Sequence, residues 1–158
     1  MISIRKANCD DGQTVSQLLH SRYSFSTEDE AAAVFTHECE YQHYRIAEVD
    51  GKPVGLISWR PQGTERHGVV ELTRIAVAPD VEDRAFVKEL LFDQMIAEAD
   101  YYYKQHGKHL RKVFSMIHAD NKDVKEFFQN KGMHQEAILR NHFHRGTDEL
   151  VYSIFLAA

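Results

Sequence analysis

The sequence is poor in cysteine, proline and glycine, and it contains no long apolar run. Of its 158 residues, two are cysteine, three are proline and eight are glycine. Cys9 and Cys39 are too few and too isolated for a disulfide framework or a zinc ribbon. No segment approaches the roughly 20 consecutive apolar residues that a membrane-spanning helix needs. The opening residues MISIRKANCDDG also lack the apolar stretch of a signal peptide, so we expect a cytoplasmic protein without a membrane partner.

The apolar content is sufficient for one core, and the charge is acidic but unevenly distributed. With 43% hydrophobic and 11% aromatic residues, the chain is expected to form a single domain over 1–158. A net charge of −5 argues against a nucleic-acid partner. Residues 27–40 hold five acidic residues and no Lys or Arg, 80–103 hold seven acidic and two basic residues, and 104–145 hold four acidic and nine basic residues. The simplest interpretation of these segments is solvated helix faces.

Hydrophobic periodicity predicts a mixed order of strands and helices, β-α-α-β-β-β-α-β-α-β-β. The strands are expected at 1–6, 44–49, 54–59, 69–77, 113–117, 133–141 and 149–156. Helices are expected after Asn8 or Asp10, after a capping box of Thr27 and Glu30, and over 83–106 and 121–131. The pattern breaks at 24–26, Asp50-Gly51 indicates a hairpin turn, and 61–67 and 142–148 are expected to be loops. The expected fold class is therefore mixed α/β (α+β), with a mainly antiparallel sheet.

The long helix over 83–106 is expected to present one broad apolar face to the core. We assign to that face Phe86, Leu90, Leu91, Met95 or Gln94, Ala97 and Tyr101. The three consecutive tyrosines at its end, 101–103, cannot all face one core. At least one ring is therefore exposed or at an interface, which favours a homodimer.

Four segments together resemble the GNAT superfamily of N-acetyltransferases over essentially the whole chain. IRKANCDDGQTVSQLL is similar to the first strand and helix of that family, and YRIAEVDGKPVGLISW to its second and third strands, with Gly55 in the usual place. VELTRIAVAP is similar to the fourth strand. HADNKDVKEFFQNKGM resembles a late family segment through Asn121 and Gly132. The resemblance implies a six- to seven-stranded, mainly antiparallel sheet flanked by about four helices.

The resemblance also implies an acyl-CoA co-substrate, with acetyl-CoA expected, and a place for each part of it. A strand that ends at a proline and leads into a long helix leaves unpaired N–H groups at the helix N-terminus, which attract anions. In this family the pyrophosphate lies there, the pantetheine arm bonds to the fourth strand, and an amine attacks the thioester where the fourth and fifth strands separate. The cofactor residues implied here are Ile75, Ala76, Val77, Arg84, Ala85, Phe86, Val87, Lys88, Asn121 and Phe128.

Five residues depart from the family pattern at these places. Ala85 and Val87 stand where the phosphate loop usually has glycines, so Cβ atoms occupy space near the phosphates. Glu82 replaces a basic or amide residue, and Asp83 is placed to cap the helix with its own carboxylate. A carboxylate about 5 Å from a phosphate costs on the order of 1 kcal/mol, so we expect affinity to fall roughly tenfold. Phe128 falls where many members have the tyrosine that protonates the leaving thiolate.

Two residues are candidates for proton transfer during attack by an amine. Glu71 lies on the fourth strand, where some family members carry a catalytic glutamate, and we expect it to act as base or to hold a water. The alternative is an edge-facing acid in salt contact with an arginine. His118 follows the fifth strand and is a second candidate base, unless it is a solvated histidine at a strand end. The pairs His106/His109 and His142/His144 lack further ligands, so no metal is expected.

The sequence therefore predicts an N-acetyltransferase that moves an acetyl or other acyl group from acyl-CoA to a primary amine. The acceptor is a small molecule or a protein, and its specificity is expected in the loops 23–30, 61–67 and 142–148. The alternative is a GNAT-like domain with impaired catalysis that serves as a binding or regulatory module.

Overall fold

The computed structural model describes residues 1–23 and 27–156, and the order of its elements is the order predicted from the sequence. The predicted break at 24–26 lies outside the described residues. Two short 3-10 turns, Cys9–Asp11 and Glu65–His67, accompany the main elements. The main helices and strands are β1 Ile2–Lys6, α1 Gly12–Arg22, α2 Glu28–Glu38, β2 His43–Val49, β3 Lys52–Gln62, β4 Val69–Val77, α3 Arg84–Gln105, β5 Lys112–His118, α4 Lys122–Asn130, β6 His134–His144 and β7 Thr147–Phe155.

The described strands form a seven-stranded sheet in the order β1-β2-β3-β4-β5-β7-β6. β4 and β5 are parallel, whereas β1/β2, β2/β3, β5/β7 and β6/β7 are antiparallel. With four α-helices in the described part of the chain, this confirms the predicted mixed, mainly antiparallel fold. None of these helices is long and apolar enough to cross a membrane.

The chain divides into two compact units, which share the long elements. The first unit comprises Met1–Arg60 and Arg74–Glu98, and the second comprises Pro61–Thr73 and Ala99–Ala158. β4 therefore contributes its first part to the second unit and its last part to the first unit.

The core of the first unit forms between the α1–α2 pair and the strands. The predicted cap of α2 is present, since the Thr27 hydroxyl accepts the Glu30 N–H at 3.1 Å. The Asp50-Gly51 turn between β2 and β3 is also as predicted, and both residues have positive φ (49° and 80°). Fully buried members of this core include Val15, Leu19, Ala31, Phe35, Ile46 and Leu56.

A disulfide that the sequence did not predict ties the start of α1 to the end of α2 in the first unit. Cys9 lies in the turn before α1, Cys39 caps the end of α2, and their Cα atoms are 5.9 Å apart. The two cysteines are 30 residues apart in sequence and belong to no recognisable spacing motif, so only the packing of α1 on α2 brings them together.

The predicted apolar face of α3 is wrong at several positions. Phe86 is 48% exposed and Tyr101 is 64% exposed. Leu91 and Met95 are buried as predicted, and they belong to a row of side chains buried at every fourth residue, a spacing that keeps them on one side of a helix. That row comprises Val87, Leu91, Met95, Ala99 and Tyr103, and Lys88 and Phe92 beside it are buried as well. The expectation that at least one of the three tyrosines is exposed is confirmed.

Two predicted loops are shorter than expected because the flanking strands continue. β3 extends to Gln62, so the loop before β4 contains little more than one 3-10 turn. β6 extends to His144 and pairs with Thr147 across a turn. In that turn the Asn141 side chain accepts the Gly146 N–H at 2.6 Å, and Gly146 adopts a positive φ of 84°.

Candidate functional site

The end of β4 lies in the first unit and carries the backbone that the sequence assigns to pantetheine. The hydroxyl of Tyr23, at the end of α1, accepts the Ile75 N–H at 2.8 Å and donates to the Ile75 carbonyl at 3.2 Å. The neighbouring Ala76 carbonyl lies 3.0 Å from where a Cβ on Gly55 would stand. A side chain at position 55 would crowd this carbonyl, so glycine favours the close approach of β3 to β4, which explains the residue that the sequence singled out.

A buried network beside this backbone was not predicted. Arg74 on β4 donates to both carboxylate oxygens of Glu38 on α2, at 3.0 and 3.3 Å, and its guanidinium lies 5.4 Å from the centre of the Tyr23 ring. Glu38 also accepts a hydrogen bond from the Tyr44 hydroxyl. Burial and the Glu38 charge raise the pKa of Tyr44 well above its usual value, so this tyrosine stays neutral. The signal in the sequence was an acid, Glu38, at an inward-facing position of α2.

The N-terminus of α3 is closed by an acidic cap, as the sequence predicted. Asp83 Oδ1 accepts the Phe86 N–H at 3.1 Å, and the Asp83 carbonyl accepts the Val87 N–H at 3.2 Å. Of the residues assigned to the pyrophosphate, Arg84, Ala85 and Phe86 are exposed, whereas the side chains of Val87 and Lys88 are buried. The Val87 side chain still contributes to the wall of an adjoining pocket.

A pocket of about 390 Å³ lies beside this turn, within the first unit. Its wall is mostly apolar and includes Phe86 and Val87. Its charged side chains are Lys52, Asp80, Glu82 and Asp83, and Lys52 lies 3.8 Å from Asp80. Met1 also lies in the wall, but its N-terminal ammonium pairs with Asp50 at 2.7 Å. Three carboxylates against the Lys52 ammonium therefore leave this surface acidic, which opposes an anionic ligand as the sequence suggested.

Glu71 and His118, the two predicted catalytic residues, both lie in the second unit. Glu71 is 6% exposed and accepts a hydrogen bond from Gln62 Nε2 at 3.1 Å. It lies opposite Phe114 of β5 in the parallel register. His118 is four residues further along β5, roughly 13 Å at about 3.3 Å per residue. The structure therefore places the two side chains in the same unit without bringing them together.

Asn121 and Phe128 have structural roles on α4. Asn121 caps the helix, its side-chain oxygen accepting the Val124 N–H at 3.3 Å. Phe128 is fully buried, with its ring centre 6.4 Å from that of Tyr152. The Tyr152 hydroxyl accepts a hydrogen bond from Gln129 Nε2 at 3.4 Å, so a hydroxyl does lie beside the ring that replaces the family tyrosine.

The Tyr103 hydroxyl at the end of α3 donates to the Val69 carbonyl at 2.8 Å, so its proton is already engaged in a hydrogen bond. Within residues 1–23 and 27–156, no group of three His, Cys, Asp or Glu side chains could hold a metal ion. The sequence also missed Glu149, a buried acid on β7 whose only signal was its place at the start of an apolar strand.

A mixed seven-stranded sheet whose fourth strand leads directly into a long helix is the architecture of an acyl-CoA-dependent N-acetyltransferase. Residues 12–133 match the model of the acetyltransferase (GNAT) family, and the chain belongs to that family. No curated protein matches the sequence significantly.

Solved structures confirm the fold at low sequence identity. A protein from Desulfovibrio desulfuricans assigned to the GNAT acetyltransferases has a TM-score of 0.81 and 20% identity, over 99% of this chain and 100% of that one. The ribosomal-protein-S18-alanine N-acetyltransferase of Escherichia coli has a TM-score of 0.79 and 15% identity, over 100% and 96%. Ard1 from Thermoplasma volcanium has a TM-score of 0.77 and 17% identity, over 99% of both chains.

Proposed function

We propose that the whole chain, 1–158, acts as one acyltransferase domain that moves the acetyl group of acetyl-CoA, or a related acyl group, to a primary amine. The backbone of Ile75, Ala76 and Val77 binds pantetheine, and the turn from Arg84 to Lys88 binds pyrophosphate. Asn121 and Phe128 lie beside the thiol. Glu71 acts as base or holds a water, and His118 acts as a second base.

The observation that carries this proposal is the run from β4 into α3. The strand ends at Val77, and residues 82–86, which lead into the first turn of a 22-residue helix, are exposed. Such an end favours anions through its unpaired donors and the helix dipole. Together with the family match, this supports a site for a phosphorylated acyl carrier at the start of α3.

The first test is calorimetric titration of the protein with acetyl-CoA and with CoA. We expect both to bind, with dissociation constants below about a millimolar because anion binding is weakened rather than lost. Binding of neither compound below that concentration would overturn the proposal.

The second test concerns Glu71. Glu71→Gln keeps the hydrogen bond to Gln62 sterically possible while it removes the charge, so we expect acetyl-CoA affinity to stay nearly unchanged. Turnover should fall roughly 100-fold, the usual contribution of a positioned base. Equal turnover of the variant and the wild-type protein would exclude Glu71 from proton transfer.

A binding or regulatory module with impaired catalysis is the second candidate, and two observations favour it. Asp83 already occupies the Phe86 N–H that a pyrophosphate needs, and Phe128 cannot donate a proton to a thiolate. The two candidates separate in one assay: a module binds acyl-CoA without releasing CoA in the presence of amines, whereas the enzyme releases it.

The acceptor is to be found by a thioester-cleavage screen over amines, amino acids and peptides with free N-termini. Peptides that begin with alanine are included because one structural neighbour is an alanine N-acetyltransferase of a ribosomal protein. We place the reaction in the cytoplasm, where acyl-CoA is available and where Cys9 and Cys39 would be reduced. Tyr101, 64% exposed, supports a homodimer, which light scattering would test.

A further inference from the structure

Glu149 is a buried acid in the second unit to which the proposed function assigns no role. It lies on β7, is 6% exposed, and stands opposite His118 of β5 and Leu139 of β6 in the strand registers. Among the described residues, no hydrogen bond or ion pair reaches its carboxylate, and the groups whose charges act on it are His118, His142 and His144. The residue is largely buried, yet its carboxylate oxygens are not fully enclosed, so they are open to a hydrogen-bond donor from solvent or from a ligand.

The nearby histidines are more accessible than the acid. His142 and His144 are exposed, and the His118 side chain is 39% exposed, with its ring centre 6.2 Å from that of His144. Nδ1 of His118 accepts the Asp120 N–H at 3.4 Å and lies 3.8 Å from the Asp120 carboxylate. A neutral imidazole that accepts at Nδ1 carries its proton on Nε2, and that nitrogen cannot take another. His118 must therefore release the Asp120 N–H from Nδ1 before it can accept a proton, whereas no hydrogen bond from the described part of the chain occupies the Glu149 carboxylate.

Glu149 also lies on the sheet face that carries both predicted catalytic residues. Paired residues of neighbouring strands place their side chains on the same face, which joins Glu149 to His118. Phe114 is four residues before His118 and is on that face too, and it pairs with Glu71. Glu71, His118 and Glu149 therefore share one face, whereas Tyr152, an odd number of residues from Glu149, points to the opposite face with Phe128.

We propose that Glu149 binds the ammonium group of the acceptor and takes its proton. The inference rests on the proposed function and names a further catalytic residue for it. The ammonium gives one proton to the carboxylate and becomes a neutral amine, whose lone pair attacks the thioester carbonyl. A C–N bond forms, which leaves the nitrogen with one proton more than an amide holds, and the C–S bond breaks so that CoA leaves as a thiolate. The excess nitrogen proton passes through water to that thiolate, and the carboxyl group releases its own proton to solvent, so one proton is released per acetyl group transferred.

The charges around Glu149 set the pH range in which it can act. Burial raises the pKa of Glu149, and the neighbouring imidazoles oppose that rise when they are protonated. The titratable groups whose charges act on it are His118 at the end of β5 and His142 and His144 on β6, and the exposed Asp120 lies 3.8 Å from His118. The carboxylate forms as the pH rises, so kcat/KM for an ammonium substrate should rise with pH through the pKa of Glu149.

The first experiment compares two nucleophiles in steady-state kinetics with acetyl-CoA at pH 7. One is the best alkylamine from the amine screen, which is charged, and the other is aniline, which is neutral. Glu149→Gln should lower kcat/KM roughly 100-fold for the alkylamine and change it less than threefold for aniline, because only the charged amine must lose a proton first. Glu136→Gln, an exposed acid on β6, is the matched control and should leave both rates unchanged. Equal losses for both nucleophiles would show a structural role and overturn the assignment.

The second measurement is the pH profile of kcat/KM for the alkylamine, which does not depend on aniline being accepted. The acidic limb should disappear in Glu149→Gln, and it should move to higher pH in His144→Gln because a positive neighbour is lost. Unmoved limbs would refute the proposal. Calorimetry with acetyl-CoA separates a failure of the Glu149 assignment from a failure of the proposed function. If the wild-type protein binds and turns over acetyl-CoA and Glu149→Gln is unaffected, only the role of Glu149 is rejected. If the wild-type protein neither binds nor turns over acetyl-CoA, the proposed function and this inference are rejected together.

Discussion

Replacing Asp83 separates the two effects that its carboxylate has at the start of α3. The carboxylate caps the helix by accepting the Phe86 N–H at 3.1 Å, and its charge lies where the pyrophosphate is proposed to bind. Asp83→Asn removes the charge but keeps a side-chain oxygen that caps well, whereas Asp83→Ala removes both. Asp83→Ala also frees the Phe86 N–H for the ligand, so it should tighten binding at least as much as Asp83→Asn, and the two variants should differ in their effect on folding stability.

The magnitudes follow from the geometry. A unit charge about 5 Å from a phosphate in water contributes about 0.8 kcal/mol, and the second phosphate charge adds somewhat less, so removing it should tighten acetyl-CoA binding roughly fivefold to tenfold. Loss of the cap in Asp83→Ala should lower the free energy of unfolding by about 1 kcal/mol, and Asp83→Asn should leave it nearly unchanged. Calorimetric titration gives the first quantity, and urea unfolding gives the second.

A matched control lies on the same helix. Asp93→Asn changes the net charge equally but is ten residues further along α3, roughly 15 Å from Asp83, and should leave affinity unchanged. The gain of Asp83→Asn should also shrink in 1 M salt, where the screening length is about 3 Å. The reasoning fails if Asp83→Asn binds acetyl-CoA no more tightly than the wild-type protein, or if the control gains as much.

Two further predictions concern stability in the first unit. The Cys9–Cys39 disulfide joins residues that are 30 positions apart, so its reduction should lower the free energy of unfolding by about 3.6 kcal/mol in the chain-entropy account. Urea unfolding with and without dithiothreitol measures this change. Equal unfolding midpoints under the two conditions would contradict the prediction. Hydrogen bonds from Arg5 lower the pKa of Asp11 in the folded state, so its stabilising contribution is present above the unfolded value of about 3.9 and is lost as the pH falls through the lower folded value. Asp11→Asn should thus destabilise at pH 7 and match the wild-type protein near pH 2, and a constant difference in unfolding free energy would argue against this ion pair.

Local patterns predicted those elements whose sequence signal is local. The strand at 69–77 and the Asp50-Gly51 turn were predicted at their observed positions, because a β-branched run and a turn dipeptide need no distant partner. The apolar face of α3 was misassigned because apolar residues occur on several sides of this helix, so the packing alone selects one side.

The parts of the candidate site that were missed depend on distant contacts. Tyr23 and Ile75 are 52 residues apart, and no local sequence pattern indicates that the Tyr23 hydroxyl hydrogen-bonds both the N–H and the carbonyl of Ile75. Glu149 is 31 residues from His118 and becomes its neighbour only through the β5/β7 register. The site residues that sequence reasoning named instead came from a family pattern, which carries such distant contacts implicitly.

The contact between Tyr23 and Ile75 has a consequence for donor binding. The Ala78 N–H donates to the Val54 carbonyl of β3, so the backbone groups of even-numbered residues at the end of β4 face β3. Those of Ile75 and Val77 face the other edge, since successive residues of a strand alternate in direction. The Tyr23 hydroxyl already satisfies Ile75 at that edge. Pantetheine must therefore either bond to Val77 alone or displace a hydroxyl that makes two hydrogen bonds, and in the second case binding of the donor releases Tyr23 from β4.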